Sequence, residues 1–311
     1  MAFIRVLVPG LQTTIQDLGR FGFAHLGVSP GGAADVWALR VGNRLVYNHE
    51  NAAAFEMALV GGTFLFEYAS FIALTGAACG AQLDGTLVPR WQSFAVRAGQ
   101  TLACGAMTNG ARTYLCIHGG IKITATMKSA STHLQTGIGG VQGRALKKND
   151  ALEISPLTSA LALRPLRARA SAQNYLSEKK LLRLVPGPQT DFFTPTAFDI
   201  LTATPYFVSR ASNRVGLRLT GAALARNHHE EMLTEGLSCG ALQVPNDGMP
   251  IILFVEHPTT GGYPKIAHVI SADLPRVGQL RPCDEVRFQL IPHEEARALF
   301  LKQQLFALQT C

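Results

Sequence analysis

The sequence predicts a mainly β chain built as two similar barrels with a few helices. Short runs of apolar and β-branched residues recur through residues 61–154, with Gly-rich or polar turns between them. The same text resumes after residue 181 and continues to residue 291. The 311 residues include 30 Gly and 16 Pro and are 47% hydrophobic and 16% charged, a turn-rich composition with ample core. Between about residues 156 and 180 the pattern dissolves into Leu, Ala, Arg and Ser. The boundary is placed there, giving an N-terminal β domain over residues 1–160 and a C-terminal β domain, ending in a helix, over residues 181–311. Each half is a run of strands with a helix, although the two do not align residue by residue.

Residues 3–8 read as a strand stopped by Pro9-Gly10. Residues 13–22, TTIQDLGRFG, read as a polar loop, because Gln16, Asp17 and Arg20 crowd too closely for a buried element. The loop either lines a site or is a turn with a local Asp17–Arg20 pair. A helix is expected over residues 33–46, with Ala33, Trp37, Val41 and Leu45 on its apolar face and Asp35 near its positive end. Strands follow at residues 63–68, 71–75, 81–83, 86–88, 93–96, 101–104 and 112–117, and Asp84-Gly85 signals a hairpin. The cluster GIGGVQGR, residues 137–144, lacks the spacing and the strand–loop–helix frame of a dinucleotide site. It reads as a surface loop in which Arg144 can meet an anion.

After residue 181, strands are expected at residues 181–185, 205–209, 216–219, 241–244, 251–255 and 286–291, with a turn at Asn246-Asp247-Gly248. A helix over residues 292–308 carries Glu294 and Glu295 in its first turn. The most informative stretch is residues 251–270, IILFVEHPTTGGYPKIAHVI. Two apolar runs flank Thr259, Thr260, Gly261, Gly262, Tyr263, Pro264 and Lys265. Glycines that reach positive φ can aim consecutive N–H groups into one concavity, suited to a carboxylate, carbonyl or phosphate. An ordinary Gly-rich hairpin gives the same text.

The formal charge is +7, and Arg164, Arg167, Arg169, Lys179, Lys180 and Arg183 stand against Glu178 alone in one stretch. That stretch reads as a solvated linker or a docking site for an acidic partner. Without interleaved aromatics or a readable motif, it does not indicate nucleic acid. Cys79, Cys104, Cys116, Cys239, Cys283 and Cys311 form no CxxC pair, which fits a reducing cytoplasm rather than a disulfide framework. The opening MAFIRVLVPG is too short for a signal peptide, and no apolar run approaches a membrane span. His228-His229 lacks metal-ligand spacing, and no GxSxG, SxxK or Walker loop occurs. Met127-Lys128 lacks the flanks of a biotin attachment site.

Four stretches carry a resemblance: residues 13–22, residues 25–46 (HLGVSPGGAADVWALRVGNRLV) continuing to Glu56, residues 110–121 (GARTYLCIHGGI) and residues 235–270. Together they resemble the biotin-dependent carboxyltransferase-domain family. It contains the C subunit of the bacterial ATP-dependent 5-oxoprolinase, the antagonist of a sporulation-kinase inhibitor, and the "allophanate hydrolase subunit 2" half of urea carboxylase. The resemblance implies two cyclophilin-like β-barrels and a heteromer with a KipI-like protein, the B subunit, and a third, LamB/YcsF-like, protein. It implies a small amide substrate, 5-oxoproline opened to glutamate, with ATP used by the complex and no cofactor bound by this chain alone. Biotin enters only on a carboxyltransferase role like that of urea carboxylase. A regulatory role, binding a KipI-like kinase inhibitor without catalysis, is the other implication.

Carried over by position, Lys265 supplies positive charge, Asp17 orients Arg20 or accepts a proton, and Tyr263 stacks or donates. Thr259, Thr260, Gly261, Gly262, Gln16, Arg20, Arg144 and Gln243 form the implied substrate-binding set. The chain departs from the family where Asp-x-Gln is replaced by Glu256 and Pro258, where Asp is replaced by Ala78, and where Gly-Ser-Arg-Ser-Thr becomes Lys128-Ser129-Ala130-Ser131-Thr132. Losing one site donor costs on the order of a hundredfold in rate, so these changes imply weakened or altered activity.

Overall fold

The computed structural model describes residues 2–157, 163–177, 180–227 and 232–309. They divide into two compact units. One runs to Arg20 and through Gly31–Leu176; the other takes Phe21–Pro30 and Ser177–Phe306. The chain is mainly β, as its sequence predicts, and each unit arranges its strands in its own way.

In the first unit, six strands form one sheet in the order Ala151–Ile154, Ala2–Val8, Thr63–Phe66, Thr101–Ala103, Gln82–Leu83, Thr86–Leu87. Five form a second, in the order Gln12–Gln16, Ala54–Ala58, Arg112–Ile117, Ser70–Gly76, Ser93–Val96. Period-two alternation sends Ile4, Val6, Phe64 and Phe66 from one sheet and Ile15, Phe55, Met57 and Leu115 from the other into a shared core. Each such burial is worth roughly 1.5–3 kcal/mol. Asp84-Gly85 makes the expected hairpin turn, with φ of 47° and 83°.

Residues 13–22 overturn their polar-loop reading. Gln12–Gln16 is a strand paired with Ala54–Ala58, and Gln16, Asp17 and Arg20 are 0, 3 and 1% exposed. Partners from distant segments accompany these polar groups inward, which is how a dense polar run comes to be buried. The helix Val36–Leu45 is also more enclosed than its pattern suggested, since even Asn43 is buried. Asn43 donates to the Glu50 and Ala52 carbonyls at 3.1 and 2.7 Å. Asp35 caps the helix by accepting from Ala38 N at 2.9 Å. Gly42 is required by close approach: a Cβ there would lie 2.6 Å from Cys116 Sγ and 2.8 Å from Thr75 Oγ1.

Met127 and Lys128 form a two-residue turn between Thr126 and Ser129, with φ of 52° and 64°. Such a turn favours Asn-Gly, and neither residue is glycine here. Lys128→Gly is therefore expected to stabilise the unit by about 1 kcal/mol, read as a Tm rise of about 2–4 °C in a thermal melt.

Seven strands close a barrel in the second unit: Leu181–Pro186, Lys265–Val269, Ala241–Gln243, Ile251–Leu253, Gly216–Thr220, Tyr206–Val208 and Glu285–Leu290. The seam pairs the first and last of these in parallel. Ile251–Leu253 and Lys265–Val269 do not make the hairpin that their adjacency suggests. Ala241–Gln243 lies between them and pairs with both. The Asn246-Asp247-Gly248 turn is present, with Gly248 at φ 75°.

The basic stretch is not a plain linker. Ala168 N donates to Trp91 O, and Leu166 bonds Ser93 through both its N and its O, tying this stretch to the Ser93–Val96 edge. Arg183 sits in the first barrel strand and grips Asp273 through N, Nε and Nη2 at 2.5–2.9 Å. Glu178, Lys179, His228 and His229 lie outside the described residues. The helix His293–Gln309 has Glu294 and Glu295 in its first turn. Among the described residues, no helix is long and apolar enough to cross a membrane.

Candidate functional site

In the second unit, Thr260–Gly261 forms a short strand against Glu235–Gly236. Gly261 and Gly262 lie outside the positive-φ region, so the expected run of inward N–H groups at positive φ is not formed. The space around them is close but not closed. A Cβ on Gly261 would fall 2.8 Å from Leu237 Cδ1, and one on Gly262 would fall 3.3 Å from the Met232 carbonyl oxygen.

Pairing Glu235 with Gly261 brings the Glu235 carboxylate to Lys265, whose ammonium forms an ion pair with it. Lys265 is 3% exposed. Gln189 braces the pair: its Nε2 donates to Glu235 Oε1 at 2.7 Å, and its Oε1 accepts from Lys265 N at 3.2 Å. The hydrogen bond from Lys265 holds the Glu235 carboxyl below its usual range. Gln243, buried beside Gly261, donates to the Tyr263 carbonyl at 3.3 Å. Thr259 is half-buried and its carbonyl accepts from Leu237 N, whereas Thr260 and Tyr263 are exposed. Tyr263 stands at the edge of a cavity of about 250 Å³.

Upstream of the threonines, Glu256 is buried in an ion pair with Arg214, with Nε 2.5 Å from Oε1. Pro258 is exposed, and its carbonyl accepts from His257 Nδ1 at 2.7 Å. Burial pushes the His257 imidazole below its ordinary pKa, and it does the same to His268, where the Lys265 charge adds to it.

Gln16, Asp17 and Arg20 belong to the first unit. The Asp17 carboxylate accepts from Gly19 N at 2.8 Å, Ser129 Oγ at 2.6 Å, Ser131 Oγ at 2.5 Å and Ala130 N at 2.7 Å. Arg20 donates to the Ser131 carbonyl, and Gln16 Nε2 donates to the Thr132 carbonyl at 3.0 Å. The Gly-rich loop packs directly on this group, because a Cβ on Gly139 or Gly140 would strike Ser131 or Thr132. Arg144 does not stand open to an anion. Its guanidinium forks onto both Asp150 oxygens at 2.8 and 3.0 Å. Ala130 is half-buried and meets Asp17 through its backbone N–H, and the half-buried Ala78 accepts from Thr108 N through its carbonyl.

Lys265, Gln243, Tyr263 and the glycines are thus gathered in one unit, and Gln16, Asp17 and Arg20 in the other. Sequence reading missed Glu235, Gln189, Ser129 and Ser131, whose roles come from pairing across long separations. The alternating Ser129-x-Ser131 was the one available signal, since a period of two puts both side chains on one face.

Residues 26–290 match the family model described as carboxyltransferase domain, subdomain A and B. The chain is 38% identical to the C subunit of 5-oxoprolinase from Escherichia coli, over 97% of this chain and 96% of that one. It is 35% identical to the C subunit of 5-oxoprolinase from Haemophilus influenzae, over 97% and 96%. The crystal structure of Kluyveromyces lactis urea carboxylase superposes on it with a TM-score of 0.92 at 31% identity, covering 98% of this chain and 29% of that one. The chain belongs to the carboxyltransferase domain, subdomain A and B, family.

Proposed function

We propose that the chain is the C-type component of an ATP-dependent 5-oxoprolinase, a hydrolase complex that opens the lactam of 5-oxoproline to glutamate. The observation that carries this reading is the near end-to-end match, in both directions, to two bacterial chains that bear the name of that enzyme's C subunit. On this reading the chain works in the cytoplasm with a KipI-like protein, the B subunit, and a LamB/YcsF-like protein. ATP is consumed by the assembly. Biotin belongs only to the carboxyltransferase alternative, which the likeness to urea carboxylase supports.

Opening a lactam develops negative charge on the carbonyl oxygen, and fixed donors in a dry site stabilise that charge. The segment from Thr259 to Lys265 supplies hydroxyls, a phenol and an ammonium paired with Glu235, while Gln189 binds the Lys265 backbone N–H and the Glu235 carboxylate. Asp17, Gln16 and Arg20 form a second, rigid polar group, whose role is to position or accept a proton. The test is to purify the chain with its partner proteins and follow ATP-dependent glutamate release from 5-oxoproline. A tight heteromer that releases no glutamate would leave the regulatory reading in its place. In the active complex, Lys265→Met is expected to lower kcat about a hundredfold while barely moving Tm, because Glu235 has solvent to turn to. Near-normal turnover would remove Lys265 from the chemistry.

A further inference from the structure

We infer that the outer face of the second unit's barrel carries a subsite for a small carboxylic acid bearing an N–H donor, with Arg218 binding the carboxylate and Asp247 accepting the N–H. The cavity there is about 250 Å³ and is lined by Ser209, Arg218, Thr220, Asp247, Met249 and Tyr263, among others. That volume lies just below the range for drug-sized ligands, so it suits a small acid.

Arg218 occupies an exposed position on Gly216–Thr220, between the buried Leu217 and Leu219. Its backbone is fixed, since its carbonyl accepts from Ser209 N at 2.8 Å and its N donates to Ser212 Oγ at 3.1 Å. Among the described residues its guanidinium has no hydrogen-bond or ion-pair partner. Lys265, the cation that the sequence singled out, already has the Glu235 carboxylate as its counter-ion. Arg218 is therefore the cation with its donors available beside Tyr263. Arg226 is engaged elsewhere, its terminal nitrogens binding Asn246 Oδ1 and the Val244 carbonyl. The Arg218 guanidinium on the cavity wall favours an anionic ligand. Asp247 has one oxygen engaged by Met249 N at 3.0 Å, and its other oxygen suits an amide or amine N–H on the same ligand. Met249 and the Tyr263 ring supply apolar walls for a compact body between the two polar ends.

A lactam acid has this layout, so the ligand's identity rests on the proposed function, whereas the carboxylate site does not. The test is isothermal titration of the full chain with 5-oxoproline and with pyrrolidin-2-one, the same ring without its carboxylate, alongside kinetics of the assembled complex. Wild type is expected to prefer 5-oxoproline at least about tenfold, and Arg218→Gln to weaken 5-oxoproline about 10- to 100-fold with pyrrolidin-2-one unchanged. In the complex the same substitution raises KM for 5-oxoproline. Unchanged affinity in Arg218→Gln, or no binding by the chain together with an unchanged KM in the complex, overturns the subsite. Glutamate release with KM untouched would keep the proposed function and remove this site. Arg218-dependent binding in a complex that releases no glutamate would do the reverse.

Discussion

Arg214→Ala is expected to lower the unfolding free energy by about 3–5 kcal/mol, the usual cost of stranding one member of a buried ion pair. Arg214 and Glu256 are 5% and 4% exposed, and Arg214 Nε lies 2.5 Å from Glu256 Oε1. Without the guanidinium, the Glu256 carboxylate keeps its desolvation penalty and loses its closest counter-charge. Glu256→Ala should cost as much from the other side. Glu256→Asp keeps the charge on a shorter arm and should cost less than either. Urea unfolding of the three variants checks this order. If Arg214→Ala shifts the midpoint no more than a surface Arg→Ala does, the pair contributes little to stability.

Asp17→Ala is expected to cost about 3 kcal/mol or more, since it strands the Ser129 and Ser131 hydroxyls and the Ala130 amide in a buried pocket. Each unsatisfied buried donor costs roughly 1–3 kcal/mol. Asp17→Asn keeps the shape and one acceptor oxygen but introduces an NH2 against hydroxyls, so an intermediate loss should follow. Comparing the two variants in the complex separates the roles of Asp17. Turnover that falls in step with stability marks a positioning residue. Turnover lost in Asp17→Asn, with stability largely kept, marks a proton acceptor. Thermal denaturation and glutamate release measured on the same preparations give both readouts.

The strands were legible wherever the text alternates between good turn residues. Arg112–Ile117 and Ser93–Val96 fall where their β-branched and aromatic content puts them, and Asp84-Gly85 marks its own hairpin. Ala54–Ala58 and Pro195–Ala203 are not legible in the sequence, because Ala-rich or mixed text without alternation looks like a connection. Burial of polar residues was the larger gap. Whether Asp17 faces water depends on Ser129 and Ser131, more than a hundred positions away. Whether Lys265 is free depends on Glu235, brought beside it by pairing that local text does not encode. Gly261 and Gly262 show a related ambiguity. The sequence shows two glycines but not whether their backbone angles demand them, and here no positive φ does.

The parallel seam between Leu181–Pro186 and Glu285–Leu290 has a consequence for biogenesis. On a ribosome the opening strand emerges about a hundred residues before the one that completes its hydrogen bonding. Until then its unpaired N–H and C=O groups stand ready for any passing strand. Vectorial synthesis therefore leaves that edge open to mispairing for longer than a meander of neighbouring hairpins would.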